Sequence, residues 1–213
     1  MMMTVLYGFF FYYISAWIGL SVGYHRYFSH KSFKTNNFLE VVMLFFGLIC
    51  GGRNALTWVA VHRMHHAYTD TENDPHAPKH KGAFNVLFSQ WSVTYIPKRF
   101  IKDLLKNPRL VFFYRYGKYI HIAYALIVAV FGLQAFIIFV VSPFVISYIG
   151  FGVLNYSAHR TGEVENVWWA NIIAPGEGWH KNHHKRPADY KLHKLDYVGY
   201  SIKTIFARPK SSS

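Results

Sequence analysis

Nine of the thirteen histidines in this 213-residue chain stand in four short clusters at the ends of apolar segments, so any fold that uses them together must gather those ends. The clusters are His25-Arg-Tyr-Phe-Ser-His30, His62-Arg-Met-His65-His66, Asn155-Tyr-Ser-Ala-His159 and His180-Lys-Asn-His183-His184. On a helix, the i, i+3, i+4 spacing of each HxxHH box sets three imidazoles on one face, aimed at a common spot. Nine imidazoles exceed what one four-coordinate zinc accepts, so two metal ions are expected. His25 and His30 are five apart, about 140° round an α-helix, so the helix is expected to end between them and return His30 from a loop. Asn155 and His159 share a face, where the amide serves either a metal or a helix–helix hydrogen bond. His76, His80, His121 and His193 stand outside the boxes and read as polar anchors near a membrane interface.

The distribution of charge says what kind of protein carries these boxes. The formal charge is +13, yet no Lys or Arg falls in 1–25 or 119–159. Fourteen lie between Arg26 and Lys118 and nine between Arg160 and Lys210, which is the positive-inside pattern of a membrane protein and no argument for nucleic acid. Residues 2–24 lack Asp, Glu, Lys and Arg, and a helix of that length covers about 34 Å against a hydrocarbon core of about 30 Å. The segment has neither the basic start nor the small-residue cleavage site of a secretory signal. A second span is expected over 119–141 and a third over 143–159, joined as a hairpin by a turn at Ser142-Pro143.

The stretch 38–60 contains Glu40 and is broken at Gly51-Gly52-Arg53-Asn54, so it is expected to stay peripheral or re-entrant. If it crossed, the first two histidine boxes would lie on opposite sides of the bilayer. A second interfacial helix is expected over 84–106, where Phe84, Val86, Leu87, Trp91, Tyr95 and Phe100 are interleaved with Lys98, Arg99 and Lys102. The chain therefore reads as one all-α integral membrane domain, 1–213, with about three transmembrane helices, interfacial helices and a histidine-rich di-metal cap on the cytoplasmic side. The single Cys50 excludes an internal disulfide.

The chemistry of the metals can be narrowed. Zinc hydrolysis wants an open site and a carboxylate base, and carboxylates near the boxes are few: Asp70, Glu72, Asp74 and Glu177. Imidazole-rich coordination also suits iron with room for dioxygen. Such a centre beside apolar helices points to oxidation of unactivated C–H bonds in a lipid chain. A metal transporter would carry ionisable residues within its spans, and the interiors of these have none.

The motifs resemble those of the membrane fatty-acid desaturases of the acyl-CoA Δ9, stearoyl-CoA desaturase-like, type. Gly23-Tyr24-His25-Arg26 through His30-Lys31-Ser32 is similar to the family's first box. Trp58 through His66 with Asp74-Pro75-His76 is similar to its second, and Gly176-Glu177-Gly178-Trp179-His180 through His184 to its third; Asn155 to His159 matches its NxxxH element, and Lys194-Leu195-Asp196 also fits. The resemblance covers about residues 20–206. It implies two iron ions held by His25, His30, His62, His65, His66, His159, His180, His183 and His184, with Asn155 reaching one through a water. It further implies oxygen-dependent insertion of a cis double bond into an acyl chain, acyl-CoA being the expected substrate. Electrons would come from a separate cytochrome b5-like or ferredoxin donor, since no haem domain is fused. Lys98 and Arg99 stand roughly where the family holds the acyl head group, and Trp58 and Trp179 where it packs the metal-bearing helices. A departure is the single span before the first box, where the family has two. The related alternatives are a histidine-box hydroxylase or ketolase acting on another lipid, and a non-enzymatic membrane metal-binding protein.

Overall fold

The structure, a computed structural model, describes residues 2–88, 93 and 95–207, and those residues form helices and connecting turns without a strand. The first helix, α1 (Met2–Ser29), is α-helical over Met2–Ser15 and π-wound over Ala16–Ser29. That winding corrects the expectation that the helix ends between His25 and His30. In a π-helix the i→i+5 hydrogen bond stacks residues five apart, and the His30 N–H donates to the His25 carbonyl at 3.3 Å. The two rings consequently sit 5.1 Å apart on one face.

Helix α2 (Asn37–Ile49) runs back alongside α1, capped by the Asn36 side chain, which accepts from the Leu39 N–H. The pairing is antiparallel and close: Gly19 lies against Gly47 and Gly23 against Met43. Small residues let the two backbones approach, and Tyr12, Leu20, Tyr24, Phe28, Leu44 and Leu48 fill the space around them. Glu40, the one acid in this apolar helix, is buried and ties α2 to the segment around residue 108: it accepts from Arg109 Nε at 2.5 Å and Asn107 Nδ2 at 3.0 Å. After a turn with Gly51 at φ 83° and Arg53 at φ 56°, the chain reverses into α3 (Ala55–Tyr68), capped by Asn54. The 38–60 stretch is thus two helices and a reversal, which returns the second histidine box to the first.

Among the described residues no helix spans 84–106. Short helices α4 (Pro78–Lys81) and α5 (Ala83–Leu87) are succeeded by single 3-10 turns at Lys98–Phe100 and Leu104–Lys106. Pro97 is one reason, because it lacks an N–H and biases Ile96 away from helical geometry. Phe84 and Tyr95 are exposed as an interfacial segment requires, but Val86 and Phe100 are buried, and Trp91 lies outside the described residues.

Helix α6 (Pro108–Ala129) starts on the cap of Asn107, with Pro108 at its first position. The reversal expected at Ser142-Pro143 occurs at 130–132, where Gly132 adopts φ 94°. Pro143 sits inside one continuous helix, α7 (Leu133–His159). The stretch before it, Ile137–Val141, is π-wound, which accommodates the proline's missing donor and its clash with the preceding turn. Met2–Ser29 and Leu133–His159 are the two helices among the described residues long and apolar enough to cross a bilayer; α6 carries Arg109, Arg115 and Lys118 in its first half. Beyond α7 a 3-10 turn (Trp168–Ile172) leads to α8 (His180–Lys185), and α9 (Tyr197–Ser201) packs against α1.

A Cβ at Gly19 would lie 2.0 Å from the Gly47 amide nitrogen, whereas one at Gly117 would meet Leu48 at an ordinary 3.5 Å. Gly19→Ala is therefore expected to force α1 and α2 apart and cost about 1–3 kcal/mol or more. Thermal unfolding in detergent should show a lowered midpoint for Gly19→Ala and little change for Gly117→Ala.

Candidate metal centre

The ends of α1, α3, α7 and α8 converge, and their histidines fall into two sets whose ring nitrogens lie within 4.8 Å of one another. One set is His25, His30, His62, His66 and His183; the other is His65, His159, His180 and His184. All nine clustered histidines are used, but neither HxxHH box makes a single site. Each is divided: its first and third histidines join one set and its second the other. Helix geometry explains this, since residues i and i+4 differ by about 40° while i+3 lies about 60° to the other side. The two boxes are divided in opposite senses, so α3 and α8 each contribute to both sets.

The nitrogens that face inward are Nε2. His183 Nε2 is 2.9 Å from that of His25 and 2.8 Å from that of His66, and His30 and His62 face each other at 2.8 Å. In the second set His180 Nε2 is 2.9 Å from that of His159 and 3.2 Å from that of His184, which lies 3.1 Å from that of His65. Three outward nitrogens meet carboxylates: His25 Nδ1 with Glu177 at 2.6 Å, His65 Nδ1 with Asp74 at 2.8 Å and His159 Nδ1 with Asp70 at 3.0 Å. A neutral imidazole has one N–H, and placing it on Nδ1 toward a carboxylate leaves Nε2 as a bare lone pair. Bare lone pairs converging in a buried space fit a cation, and an all-imidazole donor set fits iron.

Electrostatics agree with neutral rings. Burial, reinforced by the neighbouring histidines, pushes the His66 and His184 imidazoles down to about 2 and holds His62, His65, His180 and His183 well below the usual range. Burial alone would raise Glu177, but His25 and Arg26, with the hydrogen bonds of His25 and Ser21, outweigh it and hold the carboxyl at about 2. Arg26 is itself fully buried; it donates to Glu177 at 2.7 Å, to the Gly176 carbonyl at 2.9 Å and to Asp196 at 3.3 Å. Asp74, pushed up to about 7 by burial, accepts from the backbone N–H groups of Asp70 and His76.

A cavity leads away from the metal-ligand candidates between α3 and α7, lined by His62, His180, Trp58, Phe151 and Asn155. Trp58 stacks on His62 with ring centroids 5.2 Å apart. Asn155 thus faces the same cavity as His180. Trp179 does not line it and stacks on His193 at 3.9 Å. Lys98 and Arg99 are exposed and away from it; Arg99 lines a basic surface hollow with Lys31, Arg63 and Lys102 beside His30. His76 departs from the interfacial role expected of it: it is buried, its ring is 5.2 Å from that of His65, and it lines the cavity. The bracing carboxylates were visible in the sequence as scarce acids near the boxes, but not which histidine each would hold.

A family profile described as fatty acid desaturase matches residues 2–207. Among curated proteins, the chain is 32% identical over 187 residues to an sn-1 stearoyl-lipid 9-desaturase of Anabaena variabilis, covering 81% of this chain and 68% of that protein. It is 33% identical to an sn-1 stearoyl-lipid 9-desaturase of Synechocystis, covering 81% and 58% respectively. It is 28% identical to Delta-9 acyl-lipid desaturase 2 of Arabidopsis thaliana, covering 82% and 62%. The chain thus spans about three fifths to two thirds of the length of these relatives.

The braced imidazoles lead to two expected outcomes. Asp70→Asn removes the charge behind His159 and should weaken metal binding to the four-histidine set by about 10–100-fold, read as a shifted cobalt titration monitored by its visible spectrum. The metal-free protein should also lose stability in acid. Imidazoles that titrate near 6.5 when unfolded but near 2 when folded bind protons more readily in the unfolded chain. Stability is then full above about pH 6.5 and falls as the pH drops toward 2. A thermal midpoint of the apoprotein that is flat from pH 7 to pH 4 would contradict this.

Proposed function

The chain belongs to the fatty acid desaturase family, and we propose that it inserts a cis double bond, at the Δ9 position, into a fatty acyl chain held beside two iron ions. The observation that carries the reading is the division of nine buried imidazoles into two sets with Nε2 turned inward. The site residues are taken to be His25, His30, His62, His66 and His183 for one iron and His65, His159, His180 and His184 for the other, with Asn155 facing the second through a water. Iron held there would supply reduction of O₂ and removal of one hydrogen from each of two adjacent methylenes. The balance is one acyl chain, one O₂, two electrons and two protons giving the alkene and two waters, so an external donor, cytochrome b5-like or ferredoxin, is required.

The protein's own part is positional. Trp58, Phe151 and Leu154 give the cavity apolar walls that exclude water and fix a chain next to His62 and His180. Asp70, Asp74 and Glu177 hold three imidazoles in the tautomer that leaves Nε2 free. We place the acyl group on a membrane glycerolipid in preference to CoA, because the relatives described above carry acyl-lipid names. Lys98 and Arg99 then serve the cap surface and not a CoA head group. The protein is taken to be multi-pass with the site on the cytoplasmic side, and cysteines introduced at Thr35 and Lys79 should both label from that side.

The reading is tested by fatty-acid methyl esters from a desaturase-deficient host. Expression with a matching donor should produce a new monounsaturated acid, and His65→Ala or His183→Ala should abolish it; full activity in either variant would refute the site. Asn155→Ala should express normally and desaturate at least about tenfold more slowly, as loss of a water-mediated metal contact requires. Loss of a helix–helix hydrogen bond alone would cost only about 0.6 kcal/mol.

A further inference from the structure

The 3-10 turn Trp168–Ile172, which precedes the third histidine box, sits deeper than the cap it belongs to. Two long apolar helices fix its level independently. The Tyr13 hydroxyl of α1 donates to the Asn171 carbonyl at 2.9 Å, and the Tyr12 hydroxyl donates to the Ile173 carbonyl. On α7, a Cβ at Gly150 would stand 2.9 Å from that same Ile173 carbonyl. Gly150 is nine residues before His159, so the turn meets α7 about 14 Å below that ring. Both helices are uncharged there, since residues 2–24 and 133–158 contain no Asp, Glu, Lys or Arg.

Irregular backbone is tolerated at such a level only where protein groups satisfy its N–H and C=O groups. They do so here. Besides the two tyrosines, Asn171 Nδ2 donates to the Trp168 carbonyl at 2.8 Å, and the Ile173 and Ala174 N–H groups donate to the Ala170 carbonyl at 3.0 and 2.7 Å. The outer side of the turn is apolar: Trp168 is 69% exposed, Ile172 61% and Trp169 40%. Residues 166–176 carry no Asp, Glu, Lys or Arg. On α1, Phe10 and Ile14 are exposed on the helix face that carries Tyr13, so apolar surface continues from the span onto the turn. A continuous patch of this kind marks an interaction surface, unlike scattered exposed side chains.

The geometry points to a membrane-sunk anchor: Trp168, Trp169 and Ile172 lie among the phospholipids of the leaflet on the histidine side, while the rest of the segment after α7 stays above it. Interfacial elements of this kind bury their apolar side about 5–10 Å into the boundary between head groups and acyl chains, and tryptophan is favoured at that boundary. What the turn anchors is the third histidine box. Asn171 Oδ1 accepts from the Gly178 N–H at 3.0 Å, and the Val167 N–H donates to the Gly178 carbonyl at 2.8 Å. The turn is thereby joined to the chain two residues before His180, and the leaflet sets the height of His180, His183 and His184 against α1 and α7.

Fluorescence quenching in phosphatidylcholine nanodiscs, with one full chain per disc, tests the anchor without requiring turnover. A bimane is attached to Trp168→Cys or to Ile172→Cys; Cys50 is buried and does not compete for it. Phosphatidylcholine brominated on its acyl chains should quench both labels at least about twofold, and aqueous iodide should leave them unchanged. A bimane on Lys79→Cys, at an exposed position of the cap, should respond in the opposite way. Two labelled positions cover the case in which one substitution fails to fold. Quenching by iodide and not by the brominated lipid would place the turn in water and overturn the proposal. Protection from both quenchers would show that the chain covers this face itself, with the same consequence. Lipid quenching that disappears in discs holding two chains would assign the face to a second copy and likewise overturn it.

Discussion

Everything in this molecule depends on nine imidazoles packed with their Nε2 atoms facing inward in two adjoining sets. Neutral rings can be buried, but lone pairs facing each other at about 3 Å repel unless a proton or a cation lies between them. Burial removes the proton option by pushing several of these groups far below their ordinary range. A metal held among these rings would therefore be coupled to the fold of the cap, as in other proteins whose ligands come from distant segments.

The rest of the architecture serves to bring those rings together and hold them. The reversal at Gly51–Arg53 returns α3 to α1, and the turn at 130–132 returns α7 to both. The buried Arg26 joins α1 to the third histidine box through Glu177 and to the chain after α8 through Asp196. Removing one member of such a group strands the others, so it serves better to fix geometry than to add net stability. Because Glu177 also meets His25, the same charges that join these segments orient a ring of the first set.

The sequence made the candidate ligands legible because imidazole chemistry is local: HxxHH repeated twice needs no tertiary knowledge. It did not reveal how each box divides, which depends on how α3 and α8 face one another across the centre. The π winding of α1, which lets His25 and His30 share a face despite their spacing of five, was hidden as well. The hairpin is displaced from Ser142-Pro143 because Pro143 does not break its helix. Gly132 makes the turn, and a short π segment absorbs the proline. His76 escapes a sequence reading because a lone histidine gives no sign that Asp74, two residues earlier, will turn it into the core. The fatty acid desaturase family, by contrast, is readable from the boxes and their contexts alone.

The central claim is that the nine rings hold two metal ions, one in each set. Diffraction from crystals of iron-loaded protein, collected at the iron absorption edge, tests it directly. The account predicts two anomalous peaks, one among His25, His30, His62, His66 and His183 and the other among His65, His159, His180 and His184. A single peak shared between the sets, or iron bound elsewhere, would contradict it.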